Sequence, residues 1–505
     1  LRMHGQAGVE ERIGFKVALV RAPGAYRSRD REPALGLASL CAYLKAGDLD
    51  CRVFDARFHS WSPYDLVKRV IGYRPHLIGL TAITPEIRDA ARVAERLKAE
   101  IRAKVVIGGP HVTALPRRTL TEFPVFDYGI NGEGERPLLH LAQWLRDNCR
   151  KAHEVGGSIG LDKNGIIVYS RPSAKYIDGI IHHDRDGVTI NARPPILSPS
   201  ELDRLPFPDF DDYYGIDPGA LRRQDRYCVL TASRGTPNRD AFSVPVLGRE
   251  LRWRSADNIV REMERAICRW GAHTFRFCDE SLVYDAEEPR SLLRFLAEKP
   301  LSHPVRWSAA AHPGLITDDI VKLARRAGCF RLRLDIGAGD NTILESTGKG
   351  IAVGRVRHEI RAIKNAGIEA EAYFTLGHPG ESEEQIRRTA SLVAELNPDS
   401  VSIDVIIPYP GTGVYEMALR GAGGYREISD DWSSYAWYGG KIVDVEGLSY
   451  EKILGWKRRI ILSLYLKNKR PLDLLRYLWV RRSAWSFLIK RKLGIRVVAK
   501  ERFTG

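Results

Sequence analysis

Three short stretches hold residues that could meet a ligand with backbone and side chain together: Thr84-Pro85-Glu86, Gly108-Gly109-Pro110-His111 and Gly132-Glu133-Gly134-Glu135. Each lies in or just after an apolar run (HLIGLTAI, KVVIGGP, DYGINGEG) that reads as a buried strand. Glycine lets the backbone approach a flat or anionic ligand closely, and it serves plain tight turns equally well, so both readings stay open. A second set lies further along. Charged or polar side chains recur at alternate positions of later strand-like runs: Arg276 and Cys278; Arg331, Arg333 and Asp335; Glu369, Glu371 and Tyr373; Ser402 and Asp404. Alternate residues share one face of a strand, and the other parity is mostly Phe, Leu, Ile and Val. Buried charge must be paired. The pattern therefore predicts arginine–carboxylate pairs, either as a structural network or lining a cavity that takes a polar ligand.

The elements that must position these residues follow from periodicity. Residues 15–146 alternate five short apolar runs with helical segments such as PALGLASLCAYLKAG and TPEIRDAARVAERLKAEIRA. That alternation predicts an α/β fold, a flavodoxin- or Rossmann-like doubly wound parallel sheet with its ligand at the strand carboxyl ends. Residues 155–200 read as two strand–turn–strand ribbons with Asn164-Gly165 and Asp186-Gly187 as turns, and LPFPDFDDY as a linker. From Tyr227 to about residue 410 six further strand–helix repeats predict a (β/α)6-type partial TIM barrel, again active at its strand ends. The expected domains are 1–150, 151–225 (hairpin insertion and linker), 226–440 (partial barrel) and 441–505 (a basic helical appendage).

Composition narrows the class. At 505 residues, 44% hydrophobic and 28% charged, the chain is neither disordered nor a disulfide scaffold. Its seven cysteines have no close pairs and suit reduced thiols, and His4, Glu10 and Glu11 stand where an export leader would be apolar, so the expected location is cytoplasmic. The formal charge of +15 is concentrated: residues 441–505 hold 17 Lys and Arg against 5 Asp and Glu. There, Leu, Ile, Tyr and Trp alternate with basic clusters, and Pro471 marks a new helix start. A helical cap docked on the barrel is the favoured reading; peripheral contact with an anionic membrane is the second, and nucleic acid is disfavoured.

Taken in order, GGPHVTALP, GINGEGE, LPFPDFD, TASRGTPNRDAF, FCDESL, WSAAAHPGLI, RRAGCFRLRLDIGAG, YFTLGHPGESEEQIRRT and IPYPGTGVYEMA resemble the cobalamin-binding radical S-adenosylmethionine family over roughly residues 15–420. In that family the loop after the first barrel strand reads C-x3-C-x2-C and ligates a four-iron cluster that in turn holds S-adenosylmethionine. Here Thr236, Asp240 and Ser243 occupy those three positions. Iron–sulfur clusters need soft thiolates, so the cluster is expected to be absent and no metal ligand is assigned. Cys228, Cys278 and Cys329 repeat the strand–helix period and read as core thiols. The glutamate that the family sets in G-I-E-S-G is Gly337 here, which puts S-adenosylmethionine binding in doubt.

The resemblance also implies cobalamin. Its relatives set the loop after the third strand, here Thr84, Pro85 and Glu86, under the corrin. Gly108, Gly109 and His111, with Gly132, Glu133 and Gly134, would contact the ring and nucleotide tail. His111 is read as a turn residue more readily than as a cobalt ligand. The reading that results is a cobalamin-dependent transferase using polar group transfer on a small molecule. Asp240, Asp279, Glu280, His312 and Asp404 near strand ends are its candidate catalytic groups, with Asp240 a proton acceptor. The alternative is a non-catalytic cobalamin- or substrate-binding scaffold that partners an active enzyme.

Overall fold

In the computed structural model, residues 14–24, 32–154, 176–215, 227–283, 286–299, 301–436 and 441–480 are described. They fall into two compact units. The first comprises Leu1–Pro237, Val244–Asp279 and Lys299–Arg306; the second comprises Asn238–Ser243, Glu280–Glu298 and Trp307–Gly505.

The first unit is built on a seven-stranded sheet: β1 (Lys16–Arg21), β2 (Asp50–Asp55), β3 (Leu77–Thr81), β4 (Lys104–Gly108), β5 (Tyr128–Ile130), β6 (Ile180–Asp184) and β7 (Gly187–Ile190), in the order β2-β1-β3-β4-β5-β6-β7. The central strands are buried along most of their length, as a parallel sheet covered on both faces requires. Because β1 lies between β2 and β3, the strand order reverses there, and open sheets of this kind bind ligands at the carboxyl ends beside such a switch. Helices Leu35–Ala46, Pro63–Tyr73 and Ile87–Glu100 connect the strands. The second of these starts on a capping box between Ser62 and Asp65.

Two departures from sequence reading occur here. The ribbon at 180–190 is not separate: β6 pairs antiparallel with β5 and extends the sheet, and its turn residues are Arg185-Asp186, one earlier than expected, because Asp184 pairs with Gly187. The ribbon assigned to 157–172 lies outside the described residues. The Pro-rich segment is also not a loose tether. Phe210, Tyr213 and Tyr214 are buried, Asp212 accepts from the Val53 amide (2.7 Å), and Asp211 accepts from the Trp270 indole (3.0 Å). Buried rings and satisfied carboxylates at 210–214 anchor this segment to the first unit.

Beyond the strap come β8 (Tyr227–Leu230), the short β9 (Ser233–Arg234) and β10 (Arg252–Trp253), then β11 (Thr274–Phe277), β12 (Arg306–Ala311), β13 (Cys329–Gly337), β14 (Glu369–Leu376) and β15 (Ser400–Val405). Leaving out the β9–β10 pair, six strands alternate with helices along the chain, as the expected partial barrel requires. β8 pairs parallel with β11 in the first unit, and β12 to β15 each pair parallel with the next in the second. The intervening helices open on hydroxyl caps at Ser255, Thr317 and Ser382, which satisfy first-turn amides.

The alternating charges of these strands form pairs, but at the surface more than in a sealed core. Arg331 meets Glu369 across β13 and β14 at 2.7 Å with both side chains about half exposed, 44% and 54%. Arg276 meets Glu32 at 2.7 Å within the first unit. At the C-terminus the helix Tyr450–Lys467 packs against β15 and the helix Glu383–Leu396 through buried Ile453, Ile460, Ile461 and Leu464, followed by a helix Pro471–Val480. The docked cap is therefore realised for the longer helix.

Candidate active site

At the carboxyl end of β3, Thr84-Pro85-Glu86 forms a single 3-10 turn with Thr84 and Glu86 buried. The Glu86 carboxylate is committed to protein: Arg57 lies 2.7 Å away and Arg21 3.7 Å away. Asp55 is fully buried beside Arg21 (3.8 Å) and accepts the Arg57 and Phe58 amides at 3.0 Å. Burial pushes its carboxyl up, and Arg21 and the amides pull it back. These charges lock the loop rather than face a ligand. What the loop leaves outward is apolar, with Ile83 40% exposed and Pro85 half-buried. Sequence reading passed over Ile83 because a lone Ile at a strand end reads as core.

The next two loops divide in the same way. Gly109 has φ +103°, and a Cβ there would lie 2.8 Å from Ala82 O and Thr81 Oγ1, so this glycine serves close packing. Gly108 stands at the end of β4, and Gly134 packs toward Leu40. Gly132, with φ +98°, faces open space. His111 is buried with Nδ1 3.2 Å from Thr84 Oγ1, and burial pushes its imidazole down to about 4, so it is neutral and ties the two loops together.

Glu133 and Glu135 belong to a buried ion network inside the first unit. Arg234 meets Glu135 at 2.6 Å, and Arg252, 1% exposed, meets Glu133 at 3.0 Å while donating to the carbonyls of Leu197 and Leu247. Asp279 holds the strand that carries Arg234. Its carboxylate accepts from the Ala232 amide (3.0 Å), the Ser233 amide (2.6 Å) and Ser233 Oγ (2.7 Å). Asp279 is thus placed as a positioning residue. Arg252 escaped sequence reading, since nothing in RWRS distinguishes a buried arginine from a solvated one.

In the second unit, Asp240 accepts from the Phe242 amide and Ser243 Oγ, both at 2.9 Å, and the Lys349 ammonium lies 3.9 Å away. Lys349 is 9% exposed, pairs with Asp335 at 2.5 Å and stands 5.6 Å over the Phe242 ring. Its Cε lies 3.3 Å from where a Cβ at position 337 would sit, so Gly337 makes room for it. Replacing Lys349 by Met would leave two carboxylates without their cation and is expected to cost about 1–2 kcal/mol. An unchanged thermal midpoint would refute that. Asp404 stands with Tyr373, whose hydroxyl donates to it, and with Lys457 at 3.3 Å. Glu280 is exposed and accepts from the Asn238 amide at 2.8 Å, and His312 Nδ1 lies 2.7 Å from Pro313 O. Asp240 and Asp404 are thus each drawn to a lysine, whereas Glu280 takes a side-chain amide from 42 positions upstream and His312 stays with its neighbour in the chain.

Thr236 is buried in the first unit, its amide bound to Gly248 O. Among the described residues no group of three His, Cys, Asp or Glu side chains could hold a metal ion. Of the three thiols read as core, Cys228 and Cys329 are buried while Cys278 is exposed, and burial pushes the Cys228 thiol up to about 12, far from a ready thiolate. These residues do not fit a cubane cluster.

A family model described as B12 binding domain matches residues 27–142, and one described as Radical SAM superfamily matches residues 226–393. The chain carries a B12-binding domain followed by a Radical SAM superfamily domain. An uncharacterized methyltransferase of Pyrococcus horikoshii is 24% identical over 449 residues, which are 86% of this chain and 88% of that one. The anaerobic magnesium-protoporphyrin IX monomethyl ester cyclase of Cereibacter sphaeroides is 26% identical over 395 residues, 76% of this chain and 60% of the cyclase. Among solved structures, the radical S-adenosylmethionine methyltransferase TsrM of Kitasatospora setae, with cobalamin and a 4Fe-4S cluster bound, is similar with a TM-score of 0.69. The match covers 90% of this chain and 89% of TsrM at 15% identity, which is a likeness of fold.

Proposed function

We propose that this protein is a cobalamin-dependent transferase that moves a small group, most simply methyl, onto a small molecule by polar chemistry, without a four-iron cluster. The observation that carries the proposal is the state of the second unit around Asp240. Where the family sets a cluster thiolate and an S-adenosylmethionine carboxylate partner, this chain has Asp240 and Gly337, and Lys349 lies against both. A lysine ammonium held there by Asp335 makes the locality self-neutralising.

Polar group transfer needs no external electron. The bond to the leaving atom breaks with both electrons on that atom, the acceptor's lone pair forms the new bond, and the acceptor's proton passes to a base. Asp240, oriented by Ser243 and the Phe242 amide, is the proposed base. Cobalamin, when bound, supplies a nucleophilic centre able to carry methyl. Ile83, Pro85 and Gly132 would hold its ring, while the Arg57–Glu86 and His111–Thr84 contacts keep the loops fixed. The methyltransferases among the relatives support the reaction class.

The test is anaerobic reconstitution with iron, sulfide and hydroxocobalamin, followed by desalting, a visible spectrum and iron analysis. Corrin bands retained with iron far below four per chain are expected. Stoichiometric cluster would overturn the polar mechanism, and a colourless protein would overturn cobalamin binding and favour the scaffold alternative.

A further inference from the structure

The C-terminal helices carry a surface that the catalytic reading does not use. In the helix Pro471–Val480, Leu472, Leu475 and Trp479 recur at i, i+3 and i+7 and so share one face, with exposures of 78%, 62% and 64%. The preceding helix Tyr450–Lys467 buries its other side, yet it also presents Leu462 and Leu466, one turn apart and 44% and 60% exposed. The rings of Tyr465 and Tyr477, 5.8 Å apart, join the two helices. Arg458, Arg459, Lys467, Lys469 and Arg476 are exposed around these leucines. Asp473, in the same helix, pairs with Arg470 at 2.7 Å.

We infer that this face is a peripheral docking surface for an anionic phospholipid bilayer. Exposed leucines set among cations form the pattern of a helix lying in a membrane interface, where apolar side chains enter the acyl boundary and Lys or Arg meet anionic headgroups. Tryptophan favours the same depth. The charge of the region selects among occupants. A second copy would bring one basic face against another, an arrangement that like-charge repulsion opposes. A nucleic acid would satisfy the cations but leave four leucines in water. A bilayer with anionic lipid satisfies both sets. No described helix is long and apolar enough to cross a membrane, so the contact is lateral.

The test uses the full chain and does not depend on cobalamin. Sedimentation with phosphatidylcholine vesicles is compared with vesicles that also contain phosphatidylserine. Binding roughly tenfold tighter or more to the anionic vesicles is expected, weakening as salt rises. The double variant L472E/L475E, at positions exposed enough to tolerate charge, is expected to lose binding by roughly tenfold or more with its thermal midpoint unchanged. L466E serves as a second, independent variant. Failure of the wild type to bind anionic vesicles would overturn the inference, as would equal binding to both vesicle types. Undiminished binding by both variants would do the same, as would light scattering that shows a dimer which L472E/L475E splits.

Discussion

Replacing Asp279 by alanine is expected to destabilise the first unit by about 4 kcal/mol. The carboxylate is buried and receives the Ala232 and Ser233 amides and the Ser233 hydroxyl, all within 3.1 Å. Alanine would leave those three donors in a dry environment with no acceptor, and each unsatisfied donor costs about 1–3 kcal/mol. Asparagine separates this account from a simple packing loss. Both Ser233 bonds go to Oδ1, which an Asn side chain keeps, while its Nδ2 would confront the Ala232 amide. D279N should therefore cost about 1–2 kcal/mol, well below D279A. Urea unfolding measures both. Amide exchange supplies a local readout, since Ala232 and Ser233 should lose protection in D279A. If the two variants prove equally unstable, the hydrogen bonds are not what Asp279 contributes.

The same residue shows where a sequence is readable and where it stops. Asp279 stood out as a charged group at a strand end, which is where parallel α/β folds gather chemistry. Its role as a clamp depends on the amides of residues 232 and 233, 46 positions or more away, and no local pattern reports that pairing. Strand identity was legible for the opposite reason. The runs at 77–81 and 104–108 are apolar enough that burial dictates their state, and 329–337 alternates apolar with charged residues as a strand does; the observed strands match all three closely. The ribbon turn was misplaced by one residue because Asp-Gly favours a hairpin turn locally. Pairing of β6 with β7 put Gly187 into the strand instead, with φ +117°.

The candidate site was legible as positions and illegible as roles. The missing cysteines at 236, 240 and 243 and the Gly337 substitution are visible in the residues themselves. That Lys349 lies against both Asp240 and position 337 is a tertiary fact, brought about by the turn that follows the helix Asn341–Ser346. Glu86 and Glu133 carry strong charges on cofactor-type loops, yet both are spent on arginines. A charged residue on a loop announces polarity, and only its partners decide whether that polarity is available to a ligand.

Glu381 and His378 carry the second large expectation, and its sign depends on pH. Glu381 lies in the loop after β14, is 3% exposed, and accepts the Gly377 and His378 amides at 2.6 and 3.1 Å. Burial outweighs those bonds and raises its carboxyl from the usual 4.5 to about 7. Between those values the unfolded chain has released a proton that the folded chain keeps, so stability contributed by this group falls as pH rises through the window. By pH 8 the loss amounts to about 3 kcal/mol. His378, 1% exposed, moves the other way. Burial lowers its imidazole from 6.5 to about 4, so the folded chain excludes a proton that the unfolded chain takes up, and stability falls as pH drops from 6.5 toward 4.

Across the overlap the two slopes oppose one another, and the loop is nearly insensitive to pH while both are present. Replacing Glu381 by Gln removes one slope and exposes the other. Relative to wild type, E381Q should gain about 3 kcal/mol at pH 8 over its relative stability at pH 4.5, whatever fixed cost the buried amide adds. H378Q should show the mirror image and gain toward low pH. Unfolding midpoints from pH 4.5 to 8 decide the matter. If the E381Q and wild-type curves run parallel, Glu381 is already ionised in the fold and does not contribute the expected slope.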